Sequence, residues 1–265
     1  MYAFDYQKPS SVADAVAALK AADDGKFVAG GMTLIPTLKQ RLAQPSHLID
    51  LGGVKDLVGV TVSGNTVTIG AMTTHAAVAK SKEVAAAIPA LAALAGGIGD
   101  PQVRNRGTIG GSIANNDPAA DYPGACLALG ATIKTDRREL KAADFFTGLF
   151  ETALADDEII VSVSFPKPEK AAYVKFDNPA SRYALVGVFV AKTAEGVRVA
   201  VTGSGQNGVF RVPEMEKALS ANWSPDAVAG TKVDAGTLNS DIHASAEYRA
   251  HLITVMAKRA VAAAG

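Results

Sequence analysis

The chain has 265 residues, 48% of them apolar, with 26 basic side chains set against 26 acidic ones. That composition can bury a sizeable core in one large domain or in two to three subdomains. No run approaches the ~18 uninterrupted apolar residues of a membrane span, and balanced charge with no basic stripe interleaved with aromatics argues against nucleic acid as a partner.

The N-terminal "MYAFDYQKPSSV" has neither the basic nor the apolar region of a signal peptide, so a cytoplasmic location is expected. A short strand there precedes "VADAVAALKAA", whose apolar spacing after "PSS" predicts a first helix. "KFVAGG" reads as a strand entering a glycine turn. "TLIPTLKQRLAQ" resumes a helical period, with Pro36 in the tolerated first turn. "HLIDL" is a short strand, and "LVGVTVSGNTVTIGAM" a hairpin turning at "SGN". The alanine-rich segment from Thr74 to Ile98 is helical in period, broken at Pro89 and closed by Gly96 and Gly97. Thr73 and Thr74 before it suit helix caps. Cys126, the only cysteine, excludes an internal disulfide, a redox pair or a cysteine-ligated iron–sulfur cluster, and reads as a small buried apolar residue. His47, His75, His243 and His251 lack metal-site spacing and carboxylate companions, so no metal ligands are assigned. "DEIIVSVSFPKP" is a strand ending in prolines, and "PKPEKAA" a subdomain boundary. Three adjacent strands, "YVKFDN", "YALVGVFVAK" and "GVRVAVTG", and a long terminal helix complete the chain.

Two glycine-rich stretches stand out. In "AGGMTL", Ala29, Gly30, Gly31, Met32, Thr33 and Leu34 could turn successive amides toward one anion, with a helix behind. A diphosphate fits this description, as does a plain strand-to-helix turn; no lysine or arginine of a nucleoside-triphosphate loop is present. "RNRGTIGGSIANNDPAAD" sets Gly107, Gly110 and Gly111 beside Thr108, Asn115, Asp117 and Asp121. These polar groups suit sugar hydroxyls, or equally an Asx-rich loop that caps itself. A third motif, "GSGQNG" at 203–208, satisfies G-x-G-x-x-G after a strand, but "VFRVP" delays any helix to about Pro213, against a Rossmann site.

These two stretches, in this order, together with "SRYALVGVFVA", the terminal "DIHASAEYRAHLITVMAKRA" and an opening pattern at Phe4, Tyr6 and Pro9, resemble the FAD-binding medium subunit of the molybdenum hydroxylases, especially the carbon monoxide dehydrogenase type. The resemblance implies an α+β fold of the vanillyl-alcohol-oxidase kind. It implies FAD-binding subdomains at 1–57 and 58–168 and a C-terminal subdomain at 169–265, a three-stranded antiparallel sheet with helices. It implies noncovalent FAD, with the 29–34 stretch on the diphosphate and the 108–121 stretch on the ribityl and adenosine portions. Tyr183 is implied to lie against the flavin ring, Lys175 near it, and Val161 to contribute a backbone contact at its edge. Tyr183 also suits a buried strand and Lys175 a solvent-facing one.

No catalytic residue is assigned. The resemblance implies an electron-transfer subunit working with an iron–sulfur small subunit and a molybdopterin-binding large subunit, as a dimer of heterotrimers. A self-contained flavin oxidoreductase, and a dinucleotide-binding module using 203–208, are the competing readings.

Overall fold

A computed structural model describes all residues, Met1–Gly265. The Ser11 side chain accepts from the Asp14 amide and starts the helix Val12–Lys20, a cap worth about 1 kcal/mol. This helix connects two strands of a parallel three-stranded sheet in which His47–Asp50 lies between Asp5–Gln7 and Gly25–Val28. Parallel neighbours need crossovers, and the second is the helix Leu34–Lys39. A small apolar cluster including Ala15, Ile49, Val54 and Leu57 holds the unit together.

The next sheet is antiparallel and five-stranded, ordered Val60–Ser63, Thr66–Gly70, Ile160–Pro166, Thr132–Thr135, Glu139–Lys141. The hairpin expected at "SGN" forms, with Gly64 at a φ of 54°. The central strand, Ile160–Pro166, comes from far along the chain and joins the two hairpins. The alanine-rich stretch is cut twice, not once, into His75–Lys80, Lys82–Ala87 and Pro89–Gly96. Ser81 causes the extra break: its backbone is extended and its hydroxyl accepts from the Val84 amide, capping the second piece. A helix, Ile109–Asn115, also forms within the second glycine stretch.

The C-terminal sheet has four strands where three were expected. Lys170–Asp177, Ala184–Thr193 and Gly196–Thr202 are joined by the two-residue strand Phe210–Arg211. The uninterrupted apolar run "ALVGVFVA" follows from burial on both faces. Val186, Val188 and Val190 pack with Leu252, Ile253 and Met256 of the terminal helix Ala246–Ala264, whereas Phe189 and Ala191 join the core of the five-stranded sheet. A strand covered on both sides loses polar alternation. No helix is long and apolar enough to cross a membrane.

Candidate functional site

At the end of strand Gly25–Val28 the chain turns through Gly31, at a φ of 73°, into the helix Leu34–Lys39. The carbonyls of Gly31 and Thr33 accept from Ile35 and Thr37 inside that helix, but the amides of Gly30, Gly31, Met32 and Thr33 donate to no acceptor in the protein. The Thr33 hydroxyl makes no capping bond either. Gly30, Gly31 and Met32 are only partly buried and Thr33 is exposed, so these N–H groups remain open to an outside acceptor. Four free ones in succession form a row of donors awaiting an acceptor. The six-residue helix adds little beyond them.

The second stretch is built differently. Thr108 caps Ile109–Asn115 by accepting from the Gly111 amide at 3.1 Å. The Ile109 and Gly110 amides donate to Thr73 and Ala71 at 3.1 and 2.8 Å, and the Gly107 amide to Val103. In this stretch the amides of Gly107, Ile109, Gly110 and Gly111 are therefore spent. Its glycines instead permit close approach: a Cβ on Gly30 would strike the Arg106 carbonyl, one on Gly110 would lie 2.6 Å from the Ala71 Cβ, and one on Gly111 would lie 3.3 Å from the Ala29 Cβ. The two stretches meet almost backbone to backbone and wall a cavity of about 830 Å³.

Twelve of the fourteen residues singled out from the sequence line this cavity: Ala29 through Leu34, Thr108, Gly111, Asn115, Asp117, Asp121 and Tyr183. Asp117 accepts from the Ala119 amide at 2.9 Å, and burial raises its carboxyl. Asp121 is 4% exposed. Burial pushes its carboxyl up, while Lys175 and a hydrogen bond from the Tyr173 hydroxyl pull it down.

Lys175 lies behind the cavity wall rather than on it. Its ammonium is 3.2 Å from Asp121 and 3.4 Å from Asp177, and it donates to the carbonyls of Gly97 and Arg182. It is neither solvent-facing nor a free charge at the cavity. It fastens the hairpin loop that carries Arg182 and Tyr183 to the segment entering Ile98 and Gly99, which also line the cavity. Tyr183 itself is 47% exposed, its hydroxyl raised by burial and by Asp117 and Asp121. It does not begin a buried strand, because Ala184–Thr193 starts one residue later.

Val161 does not line the cavity. It sits at a bulge in strand Ile160–Pro166, its carbonyl accepts from the Ala71 amide at 2.9 Å, and it faces a groove beside Val12 and Val16. The preceding Ile159 and Ile160 reach the cavity in its place, because a bulge re-aims side chains. Sequence reasoning also missed Phe27, Leu51, His75 and Phe150, which line it. Phe27 and Leu51 carried only an ordinary core signal.

The motif at 203–208 is used up by the chain. The Gly203 amide donates to Pro118, and its carbonyl accepts from the buried Arg249, which also reaches the Leu185 carbonyl. Gly205 bridges to Leu238, and strand Phe210–Arg211 follows before the helix Pro213–Ala221 begins. Cys126 is fully buried and its thiol is pushed up by burial, as an inert core residue should be.

Residues 2–168 match the family described as the FAD binding domain in molybdopterin dehydrogenase. Over 99% of its length the chain is 40% identical to the nicotine 6-hydroxylase medium subunit of Paenarthrobacter nicotinovorans, 98% of which is covered. It is 36% identical to the carbon monoxide dehydrogenase medium chain of Afipia carboxidovorans, over 97% of this chain and 95% of that one. Among solved structures, a chain of the reconstituted carbon monoxide dehydrogenase of Oligotropha carboxidovorans superimposes with a TM-score of 0.90 at 34% identity, over 99% of this chain and 98% of that one.

Proposed function

The chain belongs to the family of FAD binding domains of molybdopterin dehydrogenases, and from that premise we propose that it is the flavin-carrying medium subunit of a molybdenum hydroxylase, passing electrons from a partner's iron–sulfur clusters through FAD to an external acceptor. The observation that carries this reading is the row of unpartnered amides at 30–33 on the wall of a cavity with mixed apolar and polar lining. FAD fits such a site: a diphosphate needs several convergent donors and little side-chain bulk, and its sugars and rings need acceptors and apolar walls. Asp117 and Asp121 supply acceptors, and Phe27, Leu51 and Ile159 supply apolar wall.

When bound, FAD supplies the electron-carrying chemistry, and the protein's work is to hold, orient and insulate it. The 30–33 amides and the Thr33 hydroxyl hold the diphosphate. Asp117, Asp121, Thr108 and Asn115 take the hydroxyl-rich portion. Tyr183 covers the ring from the hairpin loop and gates access to it. Lys175 positions that loop, fixes the Asp121 carboxyl and opposes the burial that raises it.

The partners are a small iron–sulfur subunit and a large molybdopterin-binding subunit, in a cytoplasmic dimer of heterotrimers. The chain divides at 57 and 168 into two FAD-binding parts and a C-terminal part. The three apolar clusters centre on these parts, with Met72 and Ile159 packing into the first and Phe189, Ala191 and Ala200 into the second. The substrate is chosen by the large partner.

Purification under native conditions tests the proposal. The expected preparation is yellow, with one FAD per chain, and arrives with a small iron–sulfur chain and a large one. A chain that takes up no flavin on incubation with FAD would refute the cofactor assignment. A flavin-loaded chain that is active alone, with no partner, would refute the subunit assignment.

A further inference from the structure

His75 follows Thr74, whose hydroxyl accepts from the Ala77 amide and caps the helix His75–Lys80. The His75 amide donates to the Gly107 carbonyl at 2.9 Å. With the bonds from Ile109 to Thr73 and from Gly110 to Ala71, it stitches residues 71–75 antiparallel to the second glycine stretch. The ring is thereby drawn under that stretch. It is 5% exposed, lies 5.4 Å from the Tyr122 ring, and sets its Nε2 edge where a Cβ on Gly107 would come within 2.6 Å. Gly107 thus leaves room for the imidazole, and both residues line the cavity.

Burial first, and Arg104 second, hold the imidazole at about 4, so it is neutral near pH 7. A neutral ring carries one N–H and one bare nitrogen. Nδ1 is buried with no partner. A buried N–H without an acceptor is the rarer orphan, which assigns the proton to Nε2, on the edge toward Gly107.

We propose that His75 is a cofactor-contacting residue, donating from Nε2 past Gly107 to an oxygen of the bound dinucleotide. The proposal rests on the reading that this cavity holds FAD, and it adds a direct contact from a segment outside both glycine stretches. A neutral donor suits this place, because it orients an oxygen acceptor without adding a second cation beside Arg104.

The test compares the full wild-type chain with His75→Leu and His75→Gln, by flavin-fluorescence titration for FAD affinity and by thermal unfolding of the FAD-free protein. His75→Leu is expected to weaken FAD binding by about tenfold or more, the loss of one hydrogen bond to a charged or strongly polar acceptor. The FAD-free form should unfold at the same or a higher temperature, since an unpartnered polar ring has left the core. His75→Gln, which offers an N–H at similar reach, should recover most of the affinity. Unchanged FAD affinity in His75→Leu would overturn the proposal. So would weaker binding accompanied by loss of FAD-free stability and no recovery in His75→Gln, which would make His75 a packing residue. Absence of FAD binding in the wild type would instead overturn the site reading itself, before any variant is compared.

Discussion

Gly30 and Arg106 are in backbone contact: a Cβ on Gly30 would fall on the Arg106 carbonyl oxygen. Residues 76 positions apart thus close the gap between the two glycine stretches, and the contact holds the free amides at 30–33 in place. Gly30→Ala is expected to push the stretches apart and weaken FAD binding at least tenfold. Gly111→Val should do the same from the other side, pressing on the Thr108 hydroxyl and the Ala29 Cβ. Gly230→Ala, where a Cβ meets nothing within 4 Å, serves as the control and should bind normally. Flavin content after purification reads all three.

Removing the Lys175 ammonium strands a carboxylate that is 4% exposed. Lys175→Met is expected to cost about 3–5 kcal/mol near neutral pH, the typical penalty for leaving one partner of a buried pair. The sign with pH follows from the raised carboxyl of Asp121. An acid raised on folding favours the folded state most below its unfolded value, and that contribution is lost as pH rises through the folded value. Loss of Lys175 raises it further, so the damage should shrink on acidification. Urea unfolding at pH 8 and pH 5 measures this. Equal losses at both would place the role of Lys175 in packing alone.

His75 works in the opposite sense. Its folded value of about 4 lies below the unfolded 6.5, so its contribution is complete above pH 6.5 and is lost as pH falls through 4. The full effect is about 3 kcal/mol at 1.36 kcal/mol per unit. Over that window the wild type should lose stability with a slope that His75→Leu lacks. Parallel curves for the two proteins would show the ring titrating normally.

Tyr183 is half exposed on a hairpin loop, so Tyr183→Ala should change stability by no more than about 1 kcal/mol, as surface substitutions do. Flavin fluorescence and the rate of flavin reoxidation should change severalfold. A large loss of stability with an unaltered flavin would make the ring structural.

Much of this architecture could be read from local chemistry. Ser11 before an apolar period, "SGN" between alternating strands and an unbroken "ALVGVFVA" each encode their element in a few adjacent residues. So does the row of donors at 30–33, because glycine placement governs where backbone can be bare. What escaped depends on distant pairing. Nothing near Val161 announces the bulge that turns it from the cavity and leaves Ile160 facing in. The partners of Lys175, at Gly97, Asp121 and Arg182, are brought together only by the fold. His75 lacked any companion in sequence, since its relation to Gly107 arises from the ladder between residues 71–75 and 107–110. The fourth strand, Phe210–Arg211, is too short to leave a period.

The central claim is that the bare amides at 30–33 grip the cofactor's diphosphate. A crystal structure of the FAD-loaded protein tests it most directly. Diphosphate oxygens should lie within about 2.7–3.2 Å of those nitrogens, with the Thr33 hydroxyl among the donors. A loaded structure in which these amides face water or other protein groups, while the diphosphate lies elsewhere, would contradict it.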